Sequence, residues 1–191
     1  MNPRSPIVLA GIAASPGFAS GPLCRLDTTT ANYAPKATRA EEIGALVGAI
    51  AAASAAVAEL IGRADGESAD ILEFQLAMLA DDTLAEPALA AIGQGEDAVS
   101  AWTRALDNEI AGYEASGDDY FRARSADLTD IRDRVLRVLT GAHGDAVPAG
   151  AILVGEDIAP TRFLETDWSA GGGIALAAGS TASHVAMLAR S

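Results

Sequence analysis

A proline-free, helix-forming stretch near the middle of the chain constrains the fold more than any other feature of the sequence. From Ala37 to Arg63 the chain contains no proline and is dominated by alanine, leucine and glutamate, which favour helix. Within the segment Asp70–Ala80, the side chains of Ile71, Phe74 and Met78 recur at spacings of three and four, which places them on one helix face. The sequence therefore predicts two successive helices.

Aspartates mark the starts of further helices. An aspartate before an apolar repeat is a favoured N-cap, because its carboxylate accepts hydrogen bonds from the free N–H groups of the first turn. The helices predicted on this basis run from Asp81 or Asp82 to Ile92 and from Asp118 or Asp119 to Gly141. A further helix, from Asp97 to Ala115, is predicted by apolar residues that recur at intervals of three or four. The middle of the chain is therefore expected to be almost entirely helical.

Short apolar runs at both ends of the chain predict a sheet. Before the helices, we expect a strand at Ile7–Ala13 and a second short strand around residues 21–26. After the helices, strands are expected at Ile152–Val154 and Ile174–Ala178, since both runs are bounded by glycine-containing turns. The sheet therefore draws on sequence from both sides of the helical stretch.

The order of these elements predicts two subdomains. Pro160 is interpreted as part of a turn, and a helix begins near Ser183. The fold class is therefore mixed, α+β or α/β, with a helical subdomain at 31–145 inserted into a sheet-containing domain formed by residues 1–30 and 146–191. Because the last predicted helix has barely begun at Ser191, we expect the sheet domain to be incomplete at its C-terminal end.

Charge and composition exclude several classes of function. The formal net charge of −13 disfavours nucleic-acid binding and would attract a basic protein partner, although it also serves solubility alone. Cys24 is the only cysteine, so no internal disulfide is possible, which fits a reducing cytoplasm. No segment is expected to approach the roughly 20 apolar residues of a membrane span. The expected protein is cytoplasmic and does not contact a membrane.

His184 is the candidate reactive residue. It is predicted to lie at the start of a helix, after a strand and a turn of small residues, where free N–H groups favour an anion. Ser183 is a natural N-cap, and Arg190 is close enough along the helix to donate to a phosphate. A neutral imidazole nitrogen can accept a phosphoryl group, whereas a histidine at a helix start also serves as a cap or surface residue. On the residues alone, both interpretations stay open.

Other chemistries fit the sequence less well. Lys36 is the only lysine and no G-x-x-x-x-G-K-[ST] run is present, which excludes a P-loop. Distant histidines and a single cysteine offer no zinc-ligand spacing, so no metal site is expected in this chain. His143 follows a predicted helix end and is interpreted as an exposed linker residue.

Several segments, in order along the chain, resemble the phosphoenolpyruvate–protein phosphotransferase (Enzyme I) family of the bacterial phosphotransferase system. The segments are Gly11–Pro22, Leu72–Asp82, Ala126–Ile131, Ile152–Pro160 and Gly179–Arg190. They are similar to the family patterns G-x-x-A-S-P-G-x-A-x-G, F-E-x-H-x-x-L-L-x-D, A-A-D-[VL]-x-D-[IV], I-L-V-A-x-D-L-T-P-S and G-G-x-T-S-H-x-x-I-x-A-R. Each pattern is short, but their joint order covers almost the whole chain and makes the resemblance specific.

The resemblance implies a helical subdomain that binds a phosphocarrier, inserted into a swivelling phosphohistidine domain. By this resemblance His184 takes a phosphoryl group from phosphoenolpyruvate and passes it to the phosphocarrier protein HPr, with Arg190, Ser183 and Thr181 around the phosphate. The positions that match the family's docking surface are Glu73, Gln75, Met78, Asp82, Tyr120 and Arg124. The implied protein is a cytoplasmic transferase of the kinase type, in a system that serves sugar transport or nitrogen-type regulation.

The resemblance also implies parts that this chain does not contain. The phosphoenolpyruvate- and Mg²⁺-binding barrel and the homodimer interface are expected downstream, so the 191 residues alone should be monomeric and should exchange phosphate only with a phosphocarrier. The chain departs from the family pattern at Ala182 and Ala159, where threonines are usual. Thr181, Ser183 and Thr161 remain as hydroxyls near the loop, which puts the catalytic rate in question rather than the identity of the histidine.

Two alternatives to Enzyme I stay open. One is the phosphohistidine part of another phosphoenolpyruvate-utilising enzyme, such as pyruvate phosphate dikinase or a dihydroxyacetone-kinase phosphotransferase subunit. The helical insert between Leu26 and Pro148 disfavours the dikinase. The other is a non-catalytic interaction module that binds a phosphocarrier while His184 is inert. Loss of docking on replacement of Met78 or Arg124, with no phosphate on His184, would favour the module.

Overall fold

The structure, a computed structural model, describes residues 7–26, 33–64, 66–115, 119–142, 147–181 and 183–190. In chain order the elements are β1 (Leu23–Arg25), α1 (Arg39–Ile61), α2 (Gly66–Leu79), α3 (Asp82–Gly93), α4 (Ala98–Glu114), α5 (Asp119–Thr140), β2 (Ile152–Gly155), α6 (Pro160–Glu165), β3 (Gly173–Leu176) and α7 (His184–Leu188). A block of helices therefore lies between the first two strands of a small sheet, and the predicted mixed α/β class is confirmed.

The helices α1 to α5 pack around one hydrophobic core, because each carries apolar side chains along one face. Its most deeply buried large residues are Leu46, Leu72, Ile92, Trp102, Leu106, Leu128 and Ile131. Trp102 of α4 is fully buried, and its indole Nε1 donates to the carbonyl oxygen of Arg132 on α5 at 3.2 Å. This bond satisfies the one polar atom of the tryptophan, so the ring contributes to the core without a desolvated donor.

The predicted helix starts are largely confirmed. Asp81 caps α3 by accepting from the backbone N–H of Thr83, and Asp97 caps α4 by accepting from the backbone N–H of Ser100, both at 2.9 Å. Asp118, one of the two residues predicted to open α5, lies outside the described residues. Helix α2 begins at Gly66, earlier than the predicted Asp70.

The strands form a parallel sheet in the order β1-β2-β3. Leu23 of β1 pairs with Ile152 of β2, and Leu153 of β2 pairs with Ile174 of β3. A second, smaller core lies against this sheet, with Leu153, Ile158 and Val185 buried at its centre. Because β1 precedes the helices and β2 follows them, the sheet joins the two ends of the helical block.

The strand predicted at Ile7–Ala13 is wrong for the structure. Residues 7–13 form no strand, and the side chains of Ile7, Val8, Leu9 and Ile12 are each more than 85% exposed. A strand needs a neighbour to pair its backbone N–H and C=O groups, and no described strand lies beside this segment. The short strand predicted around residues 21–26 is confirmed as β1. The turn predicted at Pro160 is instead the start of helix α6. Proline is tolerated at the first helical position, because the N–H group that it lacks would have no partner within the helix.

Gly21 is required where the chain enters β1. A Cβ atom at this position would lie 1.9 Å from the carbonyl oxygen of Gly150, far inside contact distance. The neighbouring Pro22 carbonyl accepts from the N–H of Ile152 at 2.8 Å. The absent side chain therefore lets the chain approach β2 closely enough to begin the parallel ladder.

Helix α1 differs from the expectation that no segment comes near the length and composition of a membrane span. Among the described residues it is the one helix long and apolar enough to cross a membrane by those two criteria. Its mean hydropathy is 1.9 over a stretch of 18 residues. One of its faces lies in the core of the bundle, where Leu46, Ala53 and Val57 are fully buried. The core helix of a soluble bundle meets the same criteria, so the feature is weak evidence for a membrane.

Glu42 holds the beginning of the bundle together, although no sequence pattern marked it. Its carboxylate is buried and accepts from the hydroxyl of Tyr33 at 2.7 Å, from the backbone N–H of Lys36 at 2.5 Å and from the backbone N–H of Ala98 at 2.9 Å. Burial acts to raise the pKa of Glu42, but these hydrogen bonds outweigh it and lower the pKa below the ordinary glutamate value. The carboxylate thus joins the segment before α1 to the start of α4.

Replacement of this carboxylate should show its charge in the pH dependence of stability. We expect Glu42→Gln to cost about 1–3 kcal/mol at neutral pH, because the donors lose a charged acceptor. Since the folded pKa is lowered, the stabilisation is fully present above the ordinary pKa of about 4.3 and is lost as the pH falls through the lowered value. Urea denaturation of the wild type and of Glu42→Gln across this pH range would measure the difference between their free energies of unfolding. The exposed Glu59→Gln on the same helix is the control. A difference that does not become smaller in acid would contradict the lowered pKa of Glu42.

Candidate functional site

The loop before α7 places His184 at the first position of that helix. Ser183 is the N-cap, and its hydroxyl accepts from the backbone N–H of Ala186 at 3.2 Å. The backbone N–H of Ser183 in turn donates to the carbonyl of Ser180 at 3.1 Å, which closes the turn that leads into the helix. The side chain of His184 and all of Ala182 lie outside the described part of the chain. The predicted cap is confirmed, but α7 has only 5 residues and so a much smaller dipole than a full-length helix.

Arg190 ties the same loop to the N-terminal segment. Its Nη1 donates to the carbonyl oxygen of Thr181 at 2.9 Å and to that of Ala14 at 2.8 Å. Thr181 is itself exposed. The structure therefore brings together Thr181, Ser183 and Arg190 at the start of α7, with the guanidinium held by backbone carbonyls. Their predicted contact with a phosphate stays a prediction.

Thr161 does not lie among the exposed hydroxyls expected near this loop. Its side chain is fully buried, and its hydroxyl oxygen lies 2.7 and 2.8 Å from the two carboxylate oxygens of Asp130 on α5. The hydroxyl is therefore engaged with the helical bundle. This corrects the expectation that Thr161 is available beside His184.

Asp130 is the centre of a buried polar cluster that joins three helices. Besides Thr161 of α6, it accepts from the amide Nε2 of Gln75 on α2 at 3.1 Å. Burial raises the pKa of Asp130, against the hydrogen bond from Thr161, the positive charge of Arg134 and the hydrogen bond from Gln75. Burial therefore disfavours the ionised form of this carboxyl group relative to a solvated aspartate, even though its oxygens accept hydrogen bonds.

Arg134 extends the cluster toward the end of α6. It is buried, and its Nη2 lies 2.8 Å from Oε1 of Glu165, which is close enough for an ion pair but poorly aligned for a hydrogen bond. Its Nε has no hydrogen-bond partner in the described part of the protein. Sequence reasoning missed Asp130 and Arg134. The available signal was two opposite charges four residues apart on α5, beside the buried Ile131 and Val135.

The positions that match a docking surface lie on α2, α3 and α5, but not all of them face outward. Glu73 and Asp82 are exposed and Met78 is half-buried. Gln75 was predicted on this surface, but it is 1% exposed and donates into the cluster at Asp130, so its side chain is not available there. The side chain of Tyr120 lies outside the described residues.

Arg124, the remaining position of this set, is held between two neighbours. Its guanidinium lies over the ring of Phe74 at 3.6 Å from the centroid, a cation–π contact between α5 and α2. Its Nη1 also lies 3.5 Å from Oδ2 of Asp127. The residue is therefore fixed on the outer side of the bundle rather than extended into solvent.

A shallow cavity of about 320 Å³ opens beside Met78. Its apolar wall includes Leu84, Pro87 and Leu106, and the carboxylates of Asp81 and Glu109 are also part of its lining. The described residues contain no group of three or more histidine, cysteine, aspartate or glutamate side chains placed to hold a metal ion. The cavity thus has a lining of mixed polarity, in which acidic and apolar residues lie side by side.

Comparison with known proteins places the chain in a family. The family described as "PEP-utilising enzyme, N-terminal" matches residues 10–124, which is more than half of the chain. The chain belongs to this family. The chain spans between 16% and 35% of the length of the curated relatives that it matches, so its similarity concerns one part of longer proteins.

Several relatives of the chain are named as phosphotransferases or phosphoryl transfer proteins. A phosphoenolpyruvate-protein phosphotransferase of Streptomyces coelicolor is 31% identical over 95% of the chain and 34% of the relative. The phosphoryl donor subunit DhaM of a PEP-dependent dihydroxyacetone kinase from Klebsiella michiganensis is 39% identical over 47% of the chain and 20% of the relative. An NMR structure of Enzyme I matches with a TM-score of 0.71 and 23% identity, covering 95% of the chain and 78% of that structure, which shows a shared fold.

The buried carboxyl group of Asp130 should change how the free energy of unfolding depends on pH. Because its folded pKa is raised, wild-type stability relative to Asp130→Asn should be greatest in acid and should fall as the pH rises from about 4 through the raised pKa. Each unit of upward shift corresponds to about 1.4 kcal/mol. Urea denaturation at a series of pH values would measure the difference, with Asp133→Asn on the same helix as the control. A difference that grows with rising pH would contradict the prediction.

Proposed function

We propose that this chain is the phosphohistidine and phosphocarrier-binding part of an Enzyme I-type phosphotransferase, in which His184 carries a phosphoryl group that it exchanges with HPr. The observation that carries the proposal is the loop at α7. His184 opens that helix directly after the Ser183 cap, and Arg190 fastens the same loop to the N-terminal segment. Family membership and the named phosphotransferase relatives support the same chemistry.

The exchange needs only one bond to form and one to break. A nitrogen of the neutral His184 imidazole attacks the phosphorus atom of the phosphocarrier's phosphohistidine. The new P–N bond forms at His184 while the P–N bond to the carrier breaks. The proton that the accepting imidazole releases is matched by the one that the released imidazole takes up, so charge and atoms balance. Thr181 and Arg190 are proposed to contact the phosphoryl oxygens.

Docking is proposed on the outer side of α2, α3 and α5. The exposed carboxylates of Glu73 and Asp82, together with the net charge of −13, suit a partner with a basic contact surface. Met78, which lines the cavity and lies between Glu73 and Asp82 in the sequence, is proposed to supply an apolar contact. Arg124, fixed over Phe74, is proposed to donate to an acceptor on the partner.

The remaining steps of the full reaction are proposed to belong to the rest of a longer protein. The much greater length of the relatives supports the proposal that the phosphoenolpyruvate site, its Mg²⁺ and a homodimer interface lie outside these 191 residues. The whole protein is proposed to act in the cytoplasm. The chain alone is then expected to exchange phosphate with HPr as a monomer and not to use phosphoenolpyruvate.

A second candidate function is phosphoryl donation in a dihydroxyacetone kinase system. The observation that favours it is the 39% identity to a DhaM subunit, although that match covers only 47% of the chain. The chemistry at His184 would be the same under both proposals. They are distinguished by whether the phosphorylated chain passes its phosphate to HPr or only to the carrier domains of a dihydroxyacetone kinase subunit.

Transfer from radiolabelled phospho-HPr tests the proposed function directly. We expect acid-labile, alkali-stable label on the wild-type chain, because phosphohistidine has that stability pattern. His184→Ala should remove the label, while His143→Ala, at the only other histidine, should retain it. Absence of label on a folded wild-type chain that binds HPr would contradict the phosphohistidine proposal. Absence of both label and binding would overturn the docking proposal as well.

Truncation of Met78 tests the docking surface. We expect Met78→Ala to weaken HPr binding about 10-fold, or about 1.4 kcal/mol, because it removes apolar contact at the centre of the surface. Calorimetric titration would measure the affinity. Val47→Ala, on the exposed side of α1, is the control and should bind as the wild type does. Equal affinity of all three proteins would place the docking surface elsewhere.

A further inference from the structure

We propose that the buried cluster of Gln75, Asp130 and Thr161 positions the segment that carries His184 relative to the docking helix α2. The inference rests on the proposed function, since it concerns how the docked carrier and the histidine are aligned. It assigns Thr161 and Asp130 as positioning residues that act through α6 and touch neither carrier nor phosphate.

The cluster is a direct polar connection between the helical block and the sheet-containing part. Asp130 on α5 accepts one hydrogen bond from the Gln75 amide of α2 at 3.1 Å and another from the Thr161 hydroxyl of α6 at 2.7 Å. All three side chains are at most 2% exposed, so water cannot easily replace any of these partners. Breaking one of the bonds would leave a buried polar atom unpaired, at a cost of about 1–3 kcal/mol. The cluster therefore resists relative movement of α2, α5 and α6.

Helix α6 is held on both sides. Thr161, Leu164 and Glu165 follow one another at spacings of three and one, and all of them contact the bundle: Thr161 at Asp130, Glu165 at Arg134, and Leu164 against the apolar core. Phe163 belongs instead to the core of the sheet-containing part. Helix α6, with 6 residues, therefore contributes one apolar side chain to the core of the bundle and another to the core beside the sheet.

The connection continues from α6 to the loop of His184. Helix α7 packs against α6, and Val185, the residue after His184, is buried in the same core that contains Phe163. The residue that follows His184 therefore packs in the same core as Phe163 of α6, and α6 in turn contacts the bundle. At the other end, α2 exposes Glu73 while Gln75 on the same helix points inward to Asp130.

This arrangement matters because phosphoryl transfer depends mainly on positioning. A carrier docked on α2 must bring its phosphohistidine within bonding distance of His184, and the docking surface and the histidine lie on different parts of the chain. A misplacement of 1 Å far from the reacting atoms can slow a reaction about 100-fold. The Asp130 cluster is a buried polar connection between these parts, so its loss is expected to slow transfer without weakening docking.

The experiment compares hydroxyl-deleting and hydroxyl-retaining variants. In single-turnover transfer from saturating phospho-HPr, Thr161→Val should slow the rate about 10- to 100-fold, as expected for lost alignment. Its affinity for HPr, measured by calorimetry, should stay that of the wild type. Thr161→Ser restores the hydroxyl and should restore most of the rate. Thr129→Val, which removes a threonine hydroxyl that donates to the Ser125 carbonyl within α5, is the matched control and should transfer normally.

A second variant keeps the inference testable if Thr161→Val fails to fold. Glu165→Gln removes the charge partner of Arg134 at a partly exposed position and should slow transfer by a smaller factor with unchanged affinity. Wild-type rates in both variants would overturn the positioning role while leaving the proposed function intact. Rates and affinities that fall together would also overturn it, since they indicate general destabilisation. Failure of the wild type to accept phosphate would instead overturn the proposed function and this inference with it.

Discussion

The parallel pairing of β1 with β2 is the contact on which the architecture depends. Leu23 lies before the helical block and Ile152 after it, yet the two residues are partners in one ladder. Parallel strands require a crossover connection, and here the crossover is the whole bundle α1 to α5. The bundle must therefore begin and end near the same sheet, which explains why α6 of the second part can reach back to contact α5 of the first.

The junction between the two parts uses both apolar and polar contacts, and they have different roles. Leu164 extends the bundle core and contributes ordinary burial, which is tolerant of small shifts. The cluster at Asp130 is less stabilising for its size, because a buried carboxyl group loses its hydration and the pKa rises. Its hydrogen bonds are directional, however, so it specifies one arrangement of α2, α5 and α6. Glu42 likewise joins separate segments at the start of the bundle, but there the hydrogen bonds outweigh burial and lower the pKa of the carboxyl group.

Much of the fold could be predicted from the sequence, because helices carry their own signals. The apolar spacing in α4 and the predicted aspartate cap of α3 located these helices to within a few residues. Strands are harder, since the same apolar run becomes a strand only if a neighbour is present to pair with it. Ile152–Val154 has β1 and β3 beside it and forms β2, whereas Ile7–Ala13 has no described neighbour and forms no strand.

In the candidate site, too, local features could be predicted from the sequence and long-range contacts could not. The cap of Ser183 and the proximity of Arg190 to the His184 loop follow from local sequence, and the structure places them there. Long-range partners do not follow from local sequence. Nothing within the α5 sequence indicates that Asp130 accepts hydrogen bonds from Gln75 and Thr161, which are 55 and 31 residues away. Family patterns likewise identify positions but not their orientation, so a docking pattern included Gln75 although its side chain points inward.

The inward orientation of Thr161 changes how the loop at His184 is understood. The hydroxyls expected to surround a phosphate were those of Thr161, Ser183 and Thr181, but Thr161 bonds Asp130 and the Ser183 hydroxyl caps α7. Among these three, only the hydroxyl of the exposed Thr181 is left without such a structural duty. The carbonyl of Thr181 is bound by Arg190, which also binds the Ala14 carbonyl of the N-terminal segment. Under the proposed function, phosphate contact at this loop therefore depends on the backbone of α7 and on Thr181 together with Arg190, while Thr161 acts at a distance through α6.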